Sequence, residues 1–345
     1  MKYRAPVVIA LLAGCVLALT AGCTAAPAPK AGPPPVASSI PPAPPVRAEA
    51  EGLVAAGSPG AVTYVLDGDR VWQAAAGEAE PGSPMRTDHR FRIASITKTF
   101  TAALIARQVR SGRLKLTDRA RDLLPKATTS RATVADLLKH TSGIPDYLRG
   151  DRFTEAVARG NRHLDEWPPA KLVAYAGEPG PPGVYRYSNT NYILLGLVLE
   201  KLGRRPYRAQ IADLALPDTE LPAVPFPDRL ARGVHTDGSP GSTEASASLF
   251  WSAGGLVSTV ADVARFYRAL FSGELPEGAL VREKNGVYGE RLSCGVHVLT
   301  HSGLLHGYGG AAMSTEDGSR VVVVEVNSSN AGDAIAAASR LMCAT

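Results

Sequence analysis

Apolar positions fall along this chain in three regimes. They are nearly continuous over 7–19, give way to Pro and Ala over 25–45, and beyond Val46 alternate with polar residues at periods that change from segment to segment. A spacing of three to four predicts helices and a spacing of two predicts strands. On that basis 46–56 is a short amphipathic helix stopped by Gly57. Segments 61–66 and 70–74, joined by Asp67-Gly68-Asp69, form a hairpin, because Gly supplies the positive φ of a tight turn. An extended stretch over 91–94 leads to Ser95, after which Phe100, Leu104, Ile105 and Val109 mark a helix that Gly112 ends. Further helices are predicted at 134–140, 192–202 and 260–271, with a Gly/Pro loop at 177–183. The chain then turns to strands at 295–301, 311–315 and 321–326, the last two joined by a turn at 316–319, and closes with an Ala-rich helix over 331–342. Strands at both ends with helices between predict an α+β protein: one antiparallel sheet assembled from the two termini, flanked by helices and a mostly helical lobe.

The N-terminal regimes change this picture by adding an address. Lys2 and Arg4 precede the apolar run, and Thr20-Ala21-Gly22 precede Cys23, the layout of an export signal. The end of the run resembles a bacterial lipoprotein box in which Cys23 is lipidated and becomes the mature N-terminus. Cys15, after Leu12-Ala13-Gly14, is the alternative, with a shorter apolar core before it. The Pro-rich stretch that follows cannot enter a helix or sheet interior and favours an extended backbone, suited to a tether. The expected organisation is a leader over 1–23, a tether over 24–46 and one domain over 47–345, exported and lipid-anchored at the outer face of the cytoplasmic membrane. No later stretch is apolar enough for long enough to span a bilayer.

Composition narrows the class. Apolar residues make up 45% and charged residues 20%, a globular balance. The net charge of +5 falls to +3 once Lys2 and Arg4 are set aside, and no basic stripe with aromatics occurs, so nucleic acid is not an expected partner. Cys294 and Cys343 remain in the exported body, and an even pair outside the cytoplasm suggests a disulfide, two buried thiols being the alternative.

Three short motifs carry candidate chemistry. In Ser95-Ile96-Thr97-Lys98 a hydroxyl lies one helical turn from an amine, and a serine is a poor nucleophile until an adjacent base takes its proton. The same pattern also describes a helix cap with a solvated lysine. Tyr187-Ser188-Asn189 offers a phenol able to shuttle a proton and a carboxamide able to hold a substrate carbonyl and Lys98; helix capping by Ser188-Asn189 is the plain alternative. His301-Ser302-Gly303 ends an alternating strand whose edge can pair with an extended substrate, Gly303 permitting close approach of a ligand backbone. The backbone N–H groups of Ser95 and Leu304 are candidates for an oxyanion hole. A metal at His301 with His297 or His306 is the competing use, but no acidic ligand cluster accompanies them, and no cofactor is expected.

Together the motifs resemble the serine β-lactamase and penicillin-recognising superfamily, in its class C and DD-carboxypeptidase branch, which carries Ser-x-x-Lys, Tyr-x-Asn and Lys/His-x-Gly in this order. The likeness extends to Phe91-Arg92-Ile93-Ala94, Leu137-Leu138-Lys139-His140-Thr141-Ser142-Gly143-Ile144-Pro145-Asp146-Tyr147 and Ala253-Gly254-Gly255-Leu256-Val257-Ser258-Thr259. It implies a β-lactamase/transpeptidase-like fold and an acyl-enzyme at Ser95, with Lys98 and Tyr187 as the proton-transfer pair. Asn189 would orient the substrate amide, and the strand of His301, Ser302 and Gly303 would line the acyl side. Peptidoglycan stem peptides, esters and β-lactams are the implied substrates, with D-alanyl-D-alanine carboxypeptidase foremost and a family esterase or weak class C-like β-lactamase as the alternative; a lipid-anchored binding or sensory module without turnover is the alternative of another class. Leu304 stands where a small hydroxyl residue is frequent, a departure that bears on recognition of a C-terminal carboxylate.

Overall fold

The structure is a computed structural model that describes residues 43–158, 165–223, 226–234 and 245–344. The leader, Cys15, Cys23 and nearly all of the tether lie outside the described residues.

The two hairpins read from the alternation are present and longer than their apolar cores. The first pairs β1 (Gly60–Asp67) with β2 (Arg70–Glu80) around Gly68, whose φ is +58°. The second pairs β8 (Tyr308–Thr315) with β9 (Arg320–Val326). Between them in sequence come β3 (Ser83–Pro84), β4 (Phe91–Arg92), β5 (Val257–Ser258), β6 (Tyr288–Arg291) and β7 (His297–Leu305). Seven strands form one sheet in the order β3-β2-β1-β9-β8-β7-β6, and β4 pairs with β5 in a small separate sheet. The chain ends meet at the antiparallel pair β1–β9, with Thr63 opposite Val324.

Strand β9 explains why the sheet needs cover on both faces. Val322, Val324 and Val326 pack with Ala50 and Leu53 of helix Val46–Ala55 and with Ala337 and Leu341 of helix Ala331–Cys343. Val321 and Val323 point the other way, into the larger core beneath helix Val260–Ser272 and the helical lobe. Every one of these valines is fully buried, so the run reads as continuously apolar although its side chains alternate. Cys294 and Cys343 form a disulfide with Cα atoms 5.9 Å apart across a sequence separation of 49, tying the turn before β7 to the C-terminal helix. Closing a loop of that length restricts the unfolded chain by about 4 kcal/mol.

Two expectations need correction. Ser95 does not open the helix: it sits in a 3-10 turn, Ala94–Ile96, and the α-helix begins two residues later as Thr97–Arg110. The cause is Ala94, whose φ of +48° kinks the chain between β4 and the helix. Nor does His301-Ser302-Gly303 end a strand. It lies in the middle of β7, which is flanked by β6 and β8 rather than placed at the sheet edge. Strand β6 pairs only with His297 through Thr300, so among the described residues that side of β7 has no strand partner from His301 to Leu305. Pairing with an extended substrate would have to use that stretch of the strand.

Candidate active site

The Ser95 turn is held between two sheets. On one side Phe91 and Arg92 pair with Ser258 and Val257, and Ile93 N–H donates to the Leu256 carbonyl at 3.1 Å. On the other side β7 runs so close that a Cβ on Gly303 would lie 2.5 Å from the Ile93 carbonyl oxygen and 3.1 Å from Ala94 Cβ. The absence of a side chain at Gly303 thus makes room for the Ser95 turn itself. Its partner across the ladder is Gly310.

Thr97–Arg110 is buried on nearly every side, and Lys98 in its first turn has no exposed surface. The solvated-lysine alternative is thereby excluded. Lys98 Nζ is 3.1 Å from Ser95 Oγ, 2.8 Å from Asn189 Oδ1 and 2.6 Å from the Ala253 carbonyl oxygen. Tyr187 and Tyr192 offer it ring faces with centroids 4.9 and 5.5 Å away. Burial disfavours the ammonium and brings its pKa down to about 7, against the pull of the nearby Asp146 charge. A lysine in that state is half neutral near physiological pH and can accept the Ser95 proton.

Tyr187 approaches from the opposite side and donates its hydroxyl to Ser95 Oγ at 2.9 Å. Burial pushes its phenol well above the ordinary tyrosine range, and Asp146 adds to the rise. Burial thus disfavours the phenolate, while it favours the neutral amine of Lys98. Tyr187 is positioned by two loops zipped together: Gly183 N–H donates to the Thr141 carbonyl and Arg186 N–H to the His140 carbonyl, both at 2.7 Å. His140, in the left-handed region at φ +58°, stacks on Tyr187 with ring centroids 4.3 Å apart. Its Nδ1 accepts from Ser188 N–H at 3.2 Å, and burial pulls its pKa down to about 3, so it is a neutral wall behind the phenol.

Asn189 is the first residue of helix Asn189–Gly203, and that helix carries no side-chain cap. Ser188 Oγ donates instead to the Pro145 carbonyl at 3.1 Å, which removes the capping alternative. Asn189 Nδ2 donates to Asp146 Oδ2 at 2.9 Å. His301 is buried, and burial first, then the neighbouring Lys98, pull it down to about 3. Its Nδ1 faces the Ser302 carbonyl at 2.8 Å, which requires the proton on Nδ1 and leaves Nε2 as an acceptor. Among the described residues no group of three or more His, Cys, Asp or Glu side chains is placed to hold a metal ion.

The structure thus brings together Ser95, Lys98, Tyr187 and Asn189 by direct hydrogen bonds, with His301 behind them. Ser95, Asn189 and Leu304 border one cavity of about 580 Å³, which joins both oxyanion-hole candidates to the nucleophile. Its walls are apolar: Leu148, Phe153, Leu249 and Phe250 line it with Leu304, which is 58% exposed. Ser302 is partly buried in mid-strand and is not among the residues bordering this cavity. A second cavity, of about 520 Å³, lies against His140, Tyr192, Tyr288 and His301. Asp146 and His140 are the participants that motif reading missed. Both sit in the quoted block 137–147, but neither belongs to a triplet, and only contact reveals them.

A family model described as Beta-lactamase matches residues 46–342. The chain is 36% identical over 154 residues to penicillin-binding protein 4 of Amycolatopsis lactamdurans, 42% of this chain and 38% of that protein, so the match spans little more than a third of that relative's length. Among solved structures it superposes on a D-stereospecific amidohydrolase from a Streptomyces species with a TM-score of 0.78 and 32% identity, covering 86% of this chain and 98% of the other. A D-amino acid amidase from Ochrobactrum anthropi, solved with L-phenylalanine amide, gives a TM-score of 0.75 at 25% identity, with 87% and 97% covered.

Proposed function

The chain belongs to the Beta-lactamase family, and on that footing we propose that it is an exported serine amidohydrolase cleaving amide bonds at D-configured residues. The observation that carries this reading is Lys98, fully buried, 3.1 Å from Ser95 Oγ and brought down to about 7. Lys98 takes the Ser95 proton as Oγ attacks the substrate carbonyl, and the N–H groups of Ser95 and Leu304 receive the developing oxyanion. Tyr187, still protonated, donates to the leaving nitrogen and is reprotonated from Lys98. Water then attacks the acyl-enzyme with the same pair reversing its roles.

The D preference rests on the likeness to the Streptomyces amidohydrolase and the Ochrobactrum amidase. Two substrate forms fit the motifs: D-alanyl-D-alanine stem peptides and simple D-amino-acid amides. The walls favour the amide. Among the described residues bordering the Ser95 cavity there is no lysine or arginine to pair with a terminal carboxylate; Leu304 supplies no hydroxyl, and His306 and Ser329 are the polar side chains there besides Ser95 and Asn189. The decisive measurement is a substrate panel for the purified protein: D- and L-phenylalanine amide, a D-alanyl-D-alanine peptide, a p-nitrophenyl ester and a chromogenic cephalosporin. D-phenylalanine amide should be hydrolysed at least about 10-fold faster in kcat/KM than the peptide, a difference of about 1.4 kcal/mol in transition-state binding. Faster peptide hydrolysis would restore the carboxypeptidase reading, and turnover of the cephalosporin alone would replace both.

Export and anchoring through Cys23 belong to the same proposal. The leader and the Cys294–Cys343 disulfide support them, since such bonds persist outside the reducing cytoplasm. Cys23→Ser should move the protein from the membrane pellet to the soluble exported fraction; unchanged pelleting would refute lipidation there.

A further inference from the structure

We propose that Asp146 is a positioning residue for the base: it locks the Asn189 amide in the one orientation that turns the free electron pair of Lys98 onto Ser95. The inference rests on the proposed acylation of Ser95, and it begins with a count. A neutral amine has two N–H bonds and one electron pair. Lys98 Nζ has three polar neighbours, and the two nearest are the Ala253 carbonyl oxygen at 2.6 Å and Asn189 Oδ1 at 2.8 Å. If both accept, the two hydrogens are used and the electron pair is left for the third neighbour, Ser95 Oγ at 3.1 Å.

A carbonyl can only accept, but a carboxamide can turn either end to its neighbour. A flipped Asn189 would present Nδ2 to Lys98 and claim the electron pair that Ser95 needs. Asp146 prevents the flip, because its Oδ2 accepts from Nδ2 at 2.9 Å and a carboxylate offers no hydrogen for Oδ1. The carboxylate is itself held. Its Oδ1 accepts from Leu148 N–H at 3.2 Å, at the start of the turn Tyr147–Arg149. That turn is clasped to the Asn189 helix, since Thr190 Oγ1 donates to the Pro145 carbonyl at 2.7 Å and accepts from Tyr147 N–H at 3.0 Å. Both carboxylate oxygens are thus committed, one to the backbone and one to the amide.

The test is a swap. Asp146→Asn can still accept from Leu148 N–H through its oxygen, but it turns an N–H toward Asn189, which is then matched only by flipping and presenting its own Nδ2 to Lys98. Adding Asn189→Asp restores the pattern reversed: the new amide at 146 donates to a carboxylate at 189, whose other oxygen accepts from Lys98. That carboxylate also favours the Lys98 ammonium more strongly than Asp146 does from one residue further away. The other groups facing Lys98 are the phenols Tyr187 and Tyr192 and the neutral imidazoles of His140 and His301, which the swap leaves in place.

The readout is the rate of fluorophosphonate labelling at Ser95 between pH 5 and 10, which needs no substrate, with Ser95→Ala as baseline and circular dichroism to verify folding. Asp146→Asn should label about 100-fold more slowly than wild type, the size of a misaligned catalytic pair. The double variant should recover at least about tenfold over it, with its acid limb displaced upward by at least about one pH unit. Labelling of a folded Asp146→Asn protein at the wild-type rate would overturn the proposal. So would a folded double variant that gains nothing at any pH, or one whose acid limb coincides with wild type. If Asp146→Asn does not fold, the double variant is compared with Asn189→Asp alone, in which two carboxylates face each other: the double variant should label at least about tenfold faster, and equal rates would overturn the proposal. Wild type that labels at Ser95 yet turns over none of the panel would sink the proposed function and leave the positioning role standing.

Discussion

Lys98→Met should lower kcat by about three to four orders of magnitude, with KM within about threefold of wild type. The side chain touches Ser95 but does not border the cavity, so its loss removes the proton acceptor without removing a substrate contact. Lys98→Arg should be no better, because guanidinium stays protonated at every working pH. In wild type the acid limb of kcat should fall near pH 7, where the buried amine loses its proton. No alkaline loss from Tyr187 should follow in the neutral range, since burial holds its phenol protonated. Stability carries the same signature with a definite sign. Lys98 titrates near 7 when folded and near 10.4 in an unfolded chain, so between those values the unfolded state binds more protons and wild-type stability rises with pH. Lys98→Met should lack that rise. Steady-state kinetics and thermal melts across pH 6–10 measure both effects, and a Lys98→Met protein retaining a tenth of wild-type kcat would move the base elsewhere.

The sheet was legible because its strands alternate over a core on both faces and its hairpins carry Gly at the turns, as Gly68 does. The candidate nucleophile and base were legible because Ser95 and Lys98 lie one helical turn apart, a spacing that local geometry alone makes close. What was hidden depends on contacts between distant segments. Nothing in the composition of 91–96 announces a left-handed Ala94, since alanine is a good helix former; the turn is packed against β7 on one side and tied to Leu256 through Ile93 on the other. The end of β7 was misplaced because Leu304 is apolar yet exposed, which breaks the alternation just where the strand continues. Asp146 reads as an ordinary loop carboxylate until Asn189, 43 residues on, is seen to donate to it. The choice between Lys98 and Tyr187 as base was open in the motifs. Burial favours Lys98, lowering its pKa while raising that of Tyr187.

Gly303→Ala should lower kcat by about 100-fold and destabilise the folded protein by about 1–3 kcal/mol. A methyl group there has no room: it would sit 2.5 Å from the Ile93 carbonyl oxygen and 3.1 Å from Ala94 Cβ. Neither neighbour can yield cheaply. Ile93 is tied by its N–H to Leu256, and Ala94 already occupies the left-handed region at φ +48°. The strand or the turn must therefore move by about an ångström, and Ser95 moves with the turn. Displacing Oγ stretches its contacts with Lys98 and Tyr187 together, so the loss should appear in kcat and in fluorophosphonate labelling alike. Ser302→Ala, one residue away on the same strand, inserts nothing and should stay within about threefold of wild type in kcat. The alternative role for Gly303, making space for a substrate backbone, predicts a different pattern. Gly303→Ala would then keep its melting temperature and its labelling rate and raise KM alone. Thermal melts, labelling and Michaelis kinetics on the two variants separate these outcomes, and a raised KM on an otherwise unperturbed protein would return Gly303 to the substrate.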